Sequence, residues 1–348
     1  MQPTTQHKPR LYGYDNIKCI LIFLVVLAHL MEISAPFEGK DALYKLIYAF
    51  HMPVFIFFSG FFARYSSSKI VFHLLYPYLL FQTLYLFFHN YILYPDTPAA
   101  FQFTTPYWAL WYLLAMVFYY LLIPLLHQQK LWQCFAVFIL SIATSIIAGF
   151  FNEIGFFLTL SRFFTFLPYF VLGYYTGQHK EQLREYAAKH WTKHVLPGAA
   201  GTAAVILVCR FLLQSTAIKS HMMFGSASYA NAWYTPQIKL QLLGIGLVWV
   251  AFFLFVLAPL LNRNLPLIST IGKNTLPVFL LHGFFLRCAG AVGMFTQSEQ
   301  GNLMQLILCT VIILVVLGNT IVAKVFPYIF SGTLLEKLWK NIRERLKK

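Results

Sequence analysis

The sequence predicts an all-α membrane bundle of about ten spanning helices, with both termini on the cytoplasmic side. Three observations carry that expectation. Hydrophobic residues make up 59% of the 348 residues and charged residues 11%, roughly half the charged share of an ordinary soluble domain. Aromatic residues reach 18%, with 36 Phe and 21 Tyr, more than one water-facing core hides. Apolar runs of about 20 residues, the length that crosses a bilayer, recur along the whole chain. The same figures exclude a disordered chain, a collagen-like repeat and a secreted disulfide scaffold.

The runs fall at 15–35, 46–64, 70–94, 107–126, 131–150, 154–176, 195–213, 237–261, 268–292 and 302–326. His73, Pro77, Gln82, His89 and Asn90 dilute the third. The longest polar interruptions, 177–194 and 214–236, are too short to fold alone. The organisation expected is therefore a cytoplasmic tail over 1–14, a membrane domain over 15–326 and a basic cytoplasmic tail over 327–348. The first run contains Lys18, His29 and Glu32, so it reads as a permanent span and not as a cleavable signal. Five cysteines, each inside an apolar run and none in a C-x-x-C pair, read as packing residues.

Charge sets the orientation. The chain has 26 Lys and Arg against 11 Asp and Glu, a formal net charge of +15. One set of alternate loops holds Lys8, Arg10, Arg64, Lys69, Lys130, Lys180, Arg184, Lys189, Lys193, Arg263, Lys273 and the basic tail. The other holds Lys40, Lys45, Lys219 and Lys239. The richer side faces the cytoplasm, and the tail from Lys337 to Lys348 reads as facing lipid headgroups. No basic stretch is interleaved with exposed aromatics, so nucleic acid is not an expected partner.

Ionisable side chains within spans are expensive and mark function. At 100° per residue, Lys18 and His29 return to within about 20° of each other, roughly 16 Å apart along one helix. Asp15 and Glu32 lie on the same side, so the first span presents one polar stripe. His51 lies near the outer end of the second span, followed by Pro53. Arg162 lies about a third of the way in from the outer face, with Glu32 or a bound anion as its expected partner. His282 lies near the middle of the ninth run. Trp108 and Trp111 open the fourth span, where interface anchoring and substrate stacking are both open readings. The sequence lacks H-E-x-x-H, G-x-S-x-G and any glycine-rich phosphate loop, and no metal is expected.

These residues resemble the acyltransferase-3 family of integral membrane O-acyltransferases. Asp15-Asn16-Ile17-Lys18 followed by His29 fits that family's R/K-x10-H first span. His51-Met52-Pro53-Val54-Phe55 through Ser59-Gly60-Phe61 is similar to its H-M-P-x-F…S-G-F stretch, and Trp111-Tyr112-Leu113-Leu114 to its W-F-L-x segment. Arg162-Phe163-Phe164 with 166–173 resembles the fucose 4-O-acetylase-like branch. Ile271-Gly272-Lys273-Asn274-Thr275 with Leu281-His282 is similar to the late I-G-x-N-(S/T)…L-H stretch. The chain departs from the pattern in having Lys18 where Arg is frequent, and only Lys69 and His73 where relatives carry two or three Arg.

The resemblance implies transfer of an acetyl group from cytoplasmic acetyl-CoA to a hydroxyl of a cell-surface or lipid-linked glycan, at a bacterial inner membrane. With such a transfer in view, His29 reads as the general base, with Glu32 or another nearby acceptor orienting its ring and His51 nearby. Lys18, Arg64, Lys69 and Lys273 would hold the nucleotide end of the donor. Trp108, Trp111, Arg162 and His282 would meet the acceptor or the oxyanion. The pantetheine arm would climb the stripe from Lys18 to His29. A transient acetyl-His29 intermediate is an open variant. Expected partners are the acceptor and membrane lipids, with homo-oligomerisation left open. The competing class is a proton-coupled transporter or flippase of lipid-linked sugars.

Overall fold

In the computed structural model, residues 11–127, 130–182, 195–230, 233–296, 301–330 and 332–345 are described. Among them the regular secondary structure is all helical, with no strand. The order is α1 (Tyr12–Glu32), α2 (Lys40–Phe61), α3 (Tyr76–Phe88), α4 (Trp111–Leu122), α5 (Leu131–Ala148) and α6 (Leu160–Gln178). Then follow α7 (Val195–Gln214), α8 (Pro236–Phe252), α9 (Pro266–Lys273), α10 (Thr275–Ala291), α11 (Leu303–Leu317), α12 (Thr320–Phe330) and α13 (Thr333–Arg345). π-helical turns extend α3 at both ends, making one 25-residue helix over Lys69–Leu93, and another carries α8 on to Leu260.

A helix occupies each of the ten expected runs, and among the described residues seven to eight are long and apolar enough to cross a bilayer. Seven of them do so as single helices. The run at 302–326 holds two helices, α11 and α12, bent by 66°. The break has a local cause: Asn319 Oδ1 accepts from the Ile321 and Val322 amides and starts a new helix there. The run at 268–292 is cut at Asn274 between α9 and α10, and 195–213 holds a shorter apolar helix. Of the positions used for orientation, Lys8, Arg10, Arg184, Lys189, Lys193, Lys347 and Lys348 lie outside the described residues.

α1 is the most buried of the long helices. Its polar start is locked to the late helices of the chain. Asn16 Nδ2 donates to the carbonyls of Leu261 (2.7 Å) and Arg263 (3.0 Å), and Ser269 Oγ donates to Asn16 Oδ1 at 2.7 Å. On its other side α2 packs against α6 through glycines. A side chain at Gly60 would strike the Phe170 carbonyl, and side chains at Gly173 and Gly177 would strike the carbonyls of Phe57 and Phe61. The two backbones therefore touch, the arrangement small residues permit inside membranes. α5 lies at the rim, with Leu131, Trp132, Phe135 and Leu140 exposed to the lipid side.

The tail expected over 327–348 contains α13, a helix with Leu334, Leu338, Trp339 and Ile342 exposed along one side. It is pinned to the start of the third span by one carboxylate. Glu336 accepts from Ser68 Oγ (2.7 Å), from His73 Nε2 (2.8 Å) and from Lys340 Nζ (2.7 Å). These donors, Lys340 first, hold its carboxyl down at about 2. A lowered folded value means the clasp stabilises above the unfolded carboxyl range, near 4.3, and is lost as pH falls towards about 2. Amide exchange over 333–345 should therefore accelerate across that acidic window. In Glu336→Gln it should already be fast at neutral pH; unchanged protection in the variant would refute the clasp.

Candidate functional site

A cavity of about 340 Å³ lies between α1, α2, α6, α10 and the turn leading into α4. It gathers six of the residues singled out in the sequence: His29, Glu32, His51, Trp108, Trp111 and Arg162. His282 lies directly behind His29, fully buried.

The histidines form a directed chain. His282 Nδ1 lies 2.9 Å from the Val278 carbonyl. A carbonyl only accepts, so Nδ1 carries the proton and Nε2 keeps a lone pair. That lone pair faces His29 Nδ1 at 3.2 Å, so His29 Nδ1–H donates to it. His29 Nε2 is then the unprotonated nitrogen, on the ring that lines the cavity. The orienting acceptor is thus His282, of the two kinds expected the one other than Glu32. Glu32 instead accepts from the hydroxyls of Tyr48 (2.6 Å) and Tyr44 (3.2 Å). His51 repeats the helical pattern, its Nδ1–H donating to the Ile47 carbonyl at 2.8 Å and leaving Nε2 as acceptor.

Arg162 also lines the cavity, and Glu32 was one of two partners expected for it, a bound anion being the other. No ion pair joins it to Glu32 among the described residues. Its Nε donates to the Phe224 carbonyl at 3.1 Å, and its guanidinium lies 5.0 Å from the Trp111 ring and 5.4 Å from Phe156. The remaining guanidinium N–H groups stay available on a cation of the cavity wall.

Both tryptophans turn inward. The Trp108 ring lies 4.3 Å from His29 and 5.3 Å from His282. It adopts φ +47°, a left-handed conformation that costs a bulky residue about 1–3 kcal/mol. The diluting polar residues of the third run hold the segment that imposes it. Gln82 Nε2 donates to the carbonyls of Gln102 (2.8 Å) and Thr105 (3.0 Å), and Gln82 Oε1 accepts from the Tyr107 amide at 2.7 Å. Asn90 makes two further bonds with Ala99. Gly283 leaves room for the ring, since a side chain there would strike Trp108 and the Tyr85 hydroxyl.

The cation candidates lie elsewhere. Lys18 pairs with Asp15 at 2.8 Å, Lys69 Nζ donates to the Tyr120 hydroxyl at 2.5 Å, and Arg64 and Lys273 are exposed. All four are at the Asp15 end of the bundle, away from Glu32. The polar stripe is not continuous: Ile22 and Val25, between Lys18 and His29 on that face, are buried among apolar residues. The cavity reaches no lower along α1 than Val25. One turn along α2 from Phe55, Ser59 shares a 2.7 Å hydrogen bond with the cavity-lining Tyr112.

Two features escaped the sequence reading. The carboxylate cradle of Tyr44 and Tyr48 has no sequence signal, because tyrosine is abundant throughout. Arg287 had one: it is a cation inside an apolar run. Its guanidinium lies 4.9 Å from the Trp108 ring and 5.4 Å from Tyr107, and its Nε is buried without a hydrogen-bond partner.

Neither a comparison with curated proteins nor one with solved structures gives a match. A family model described as an acyltransferase domain, however, matches residues 11–322, spanning every helix of the cavity. The match covers well over half of the chain, and the chain belongs to the acyltransferase-3 family.

Proposed function

We propose that this membrane acyltransferase moves an acetyl group from acetyl-CoA to a hydroxyl of a cell-surface or lipid-linked glycan, with His29 as general base. The observation that carries the reading is the Val278–His282–His29 chain, which leaves a lone pair on Nε2 of a cavity-lining histidine. In the reaction the acceptor hydroxyl donates to Nε2. Its oxygen attacks the thioester carbonyl as the proton passes to His29. The tetrahedral intermediate collapses with loss of the C–S bond, and Nε2–H returns the proton to the sulfur as CoA leaves.

Arg162 supplies positive charge for the oxyanion. The aromatic faces of Trp108, Trp111, Tyr44 and Tyr48 suit the apolar faces of a sugar ring, and the Glu32 carboxylate suits its hydroxyls. In this reading the donor's nucleotide stays at the Asp15 end, beside Lys18, Arg64, Lys69 and Lys273. Its thioester extends from there towards His29. A membrane with that end cytoplasmic, as in a bacterial inner membrane, accords with the charge bias.

Two measurements test the assignment together. Purified protein should consume acetyl-CoA only when the acceptor fraction is supplied. Surface glycans from cells with and without the gene should differ in mass by one acetyl increment. Identical glycans, or thioester consumption that needs no acceptor, would sink the acetyl-to-glycan reading.

A further inference from the structure

Lys239 has no role in the cavity just described. It stands in the first turn of α8, yet its side chain turns inward: the residue is 1% exposed and Nζ has no hydrogen-bond acceptor. Lysines near the ends of spans ordinarily extend to the polar surface. The Tyr229 ring lies 5.8 Å from Nζ, at the outer limit of a cation–π contact. Among the described residues no carboxylate pairs with it, and the sequence has no Asp or Glu anywhere between Glu185 and Glu299.

Next to Lys239 is a small space of about 30 Å³, bounded by Tyr48, Pro53, Thr165, Phe166 and Tyr234. One or two water-sized particles fill it. It lies against Lys239, Leu242 and Leu243 on one side of α8, about a turn past Pro236 and the capping Thr235 that start the helix. The positive end of that helix dipole repels a cation and attracts an anion. An ammonium withdrawn from water without a partner is strongly disfavoured. A buried, unpartnered ammonium lining a small space near a helix start thus points to a missing negative charge.

We propose that this space is a binding site for a small monovalent anion, chloride being the natural occupant, which acts as counter-ion to Lys239. The volume admits one halide and excludes a sugar carboxylate. The site adjoins the reaction cavity: Tyr48 and Met223 line both, and the Tyr48 hydroxyl holds Glu32. An ion there braces the wall that carries the carboxylate, whatever group the enzyme transfers.

The test uses the full chain in nanodiscs, with chloride replaced by gluconate at constant ionic strength and then restored as chloride or bromide. The melting temperature should rise saturably by at least ~2 °C with either halide. The 35Cl line should broaden on protein addition and sharpen when bromide displaces chloride. Lys239→Met should lose the saturable halide response, and Lys219→Met, at an exposed lysine, should keep it. An equal response in Lys239→Met would overturn the site, as would acetate matching the halides. Should Lys239→Met fail to fold, the native chain decides: equal melting in chloride and gluconate, with no line broadening, refutes the proposal.

Discussion

In a His29→Ala variant, acyl transfer should fall by about 10²–10⁴-fold, the usual contribution of a positioned general base. The melting temperature and donor binding should stay close to those of the native chain, because His29 is only partly buried and sits on a cavity wall. Retained turnover would remove His29 from the chemistry. His282 makes a finer test, since it touches no substrate in this arrangement and acts through His29. In His282→Leu the His29 Nδ1–H loses its acceptor and the ring its fixed tautomer. Turnover should drop with KM little changed. In His282→Gln an amide oxygen can take that hydrogen bond, and some of the rate should return. A purely packing role for His282 predicts the opposite order, with the apolar Leu better tolerated than Gln in a fully buried position.

The Gly173→Leu variant should fail to yield a folded bundle. A Cβ at position 173 points into the Phe57 carbonyl on α2, a backbone group that cannot swing aside. Overpacking one core site typically costs about 1–3 kcal/mol, and here it must force apart a pair of helices that also meet at Gly60 and Gly177. α2 carries Glu32's partners Tyr44 and Tyr48 together with His51, so the cavity wall goes with it. Size-exclusion profiles and melting curves read the result. Gly198→Leu on α7, where nothing lies within 4 Å of a new Cβ, should behave as the native chain. Native-like melting of Gly173→Leu would mean that α2 and α6 are not held by direct backbone contact.

Much of this was legible in the sequence because bilayers impose a coarse, one-dimensional rule. Apolar length fixed where helices run, and the cost of polar groups in lipid pointed to His29, His51, Arg162 and His282. The failures share a physical cause: helical phase says which residues share a face, and nothing about what packs on that face. Phase aligned Lys18 with His29, but Ile22 and Val25 on the same line are core residues, so the polar stripe is interrupted between them. Phase also set Glu32 beside His29, whereas the neighbour that orients it comes from 253 residues away. The polar residues that weakened the third run turned out to tie down the segment before Trp108, a role set by hydrogen bonds to backbone 20–25 residues distant.

The Asn16 bonds to Leu261 and Arg263 join positions 245 and 247 residues apart, and this bears on how the protein is made. At about 5–20 residues per second, the first helix waits roughly 12–50 s between leaving the ribosome and meeting the partners that satisfy it. Through that interval Asn16 and His29 lack the late groups that bond them, at Leu261, Arg263, Ser269 and His282. Insertion machinery or a chaperone must shelter them, so truncation before residue 260 should send the nascent chain to proteolysis.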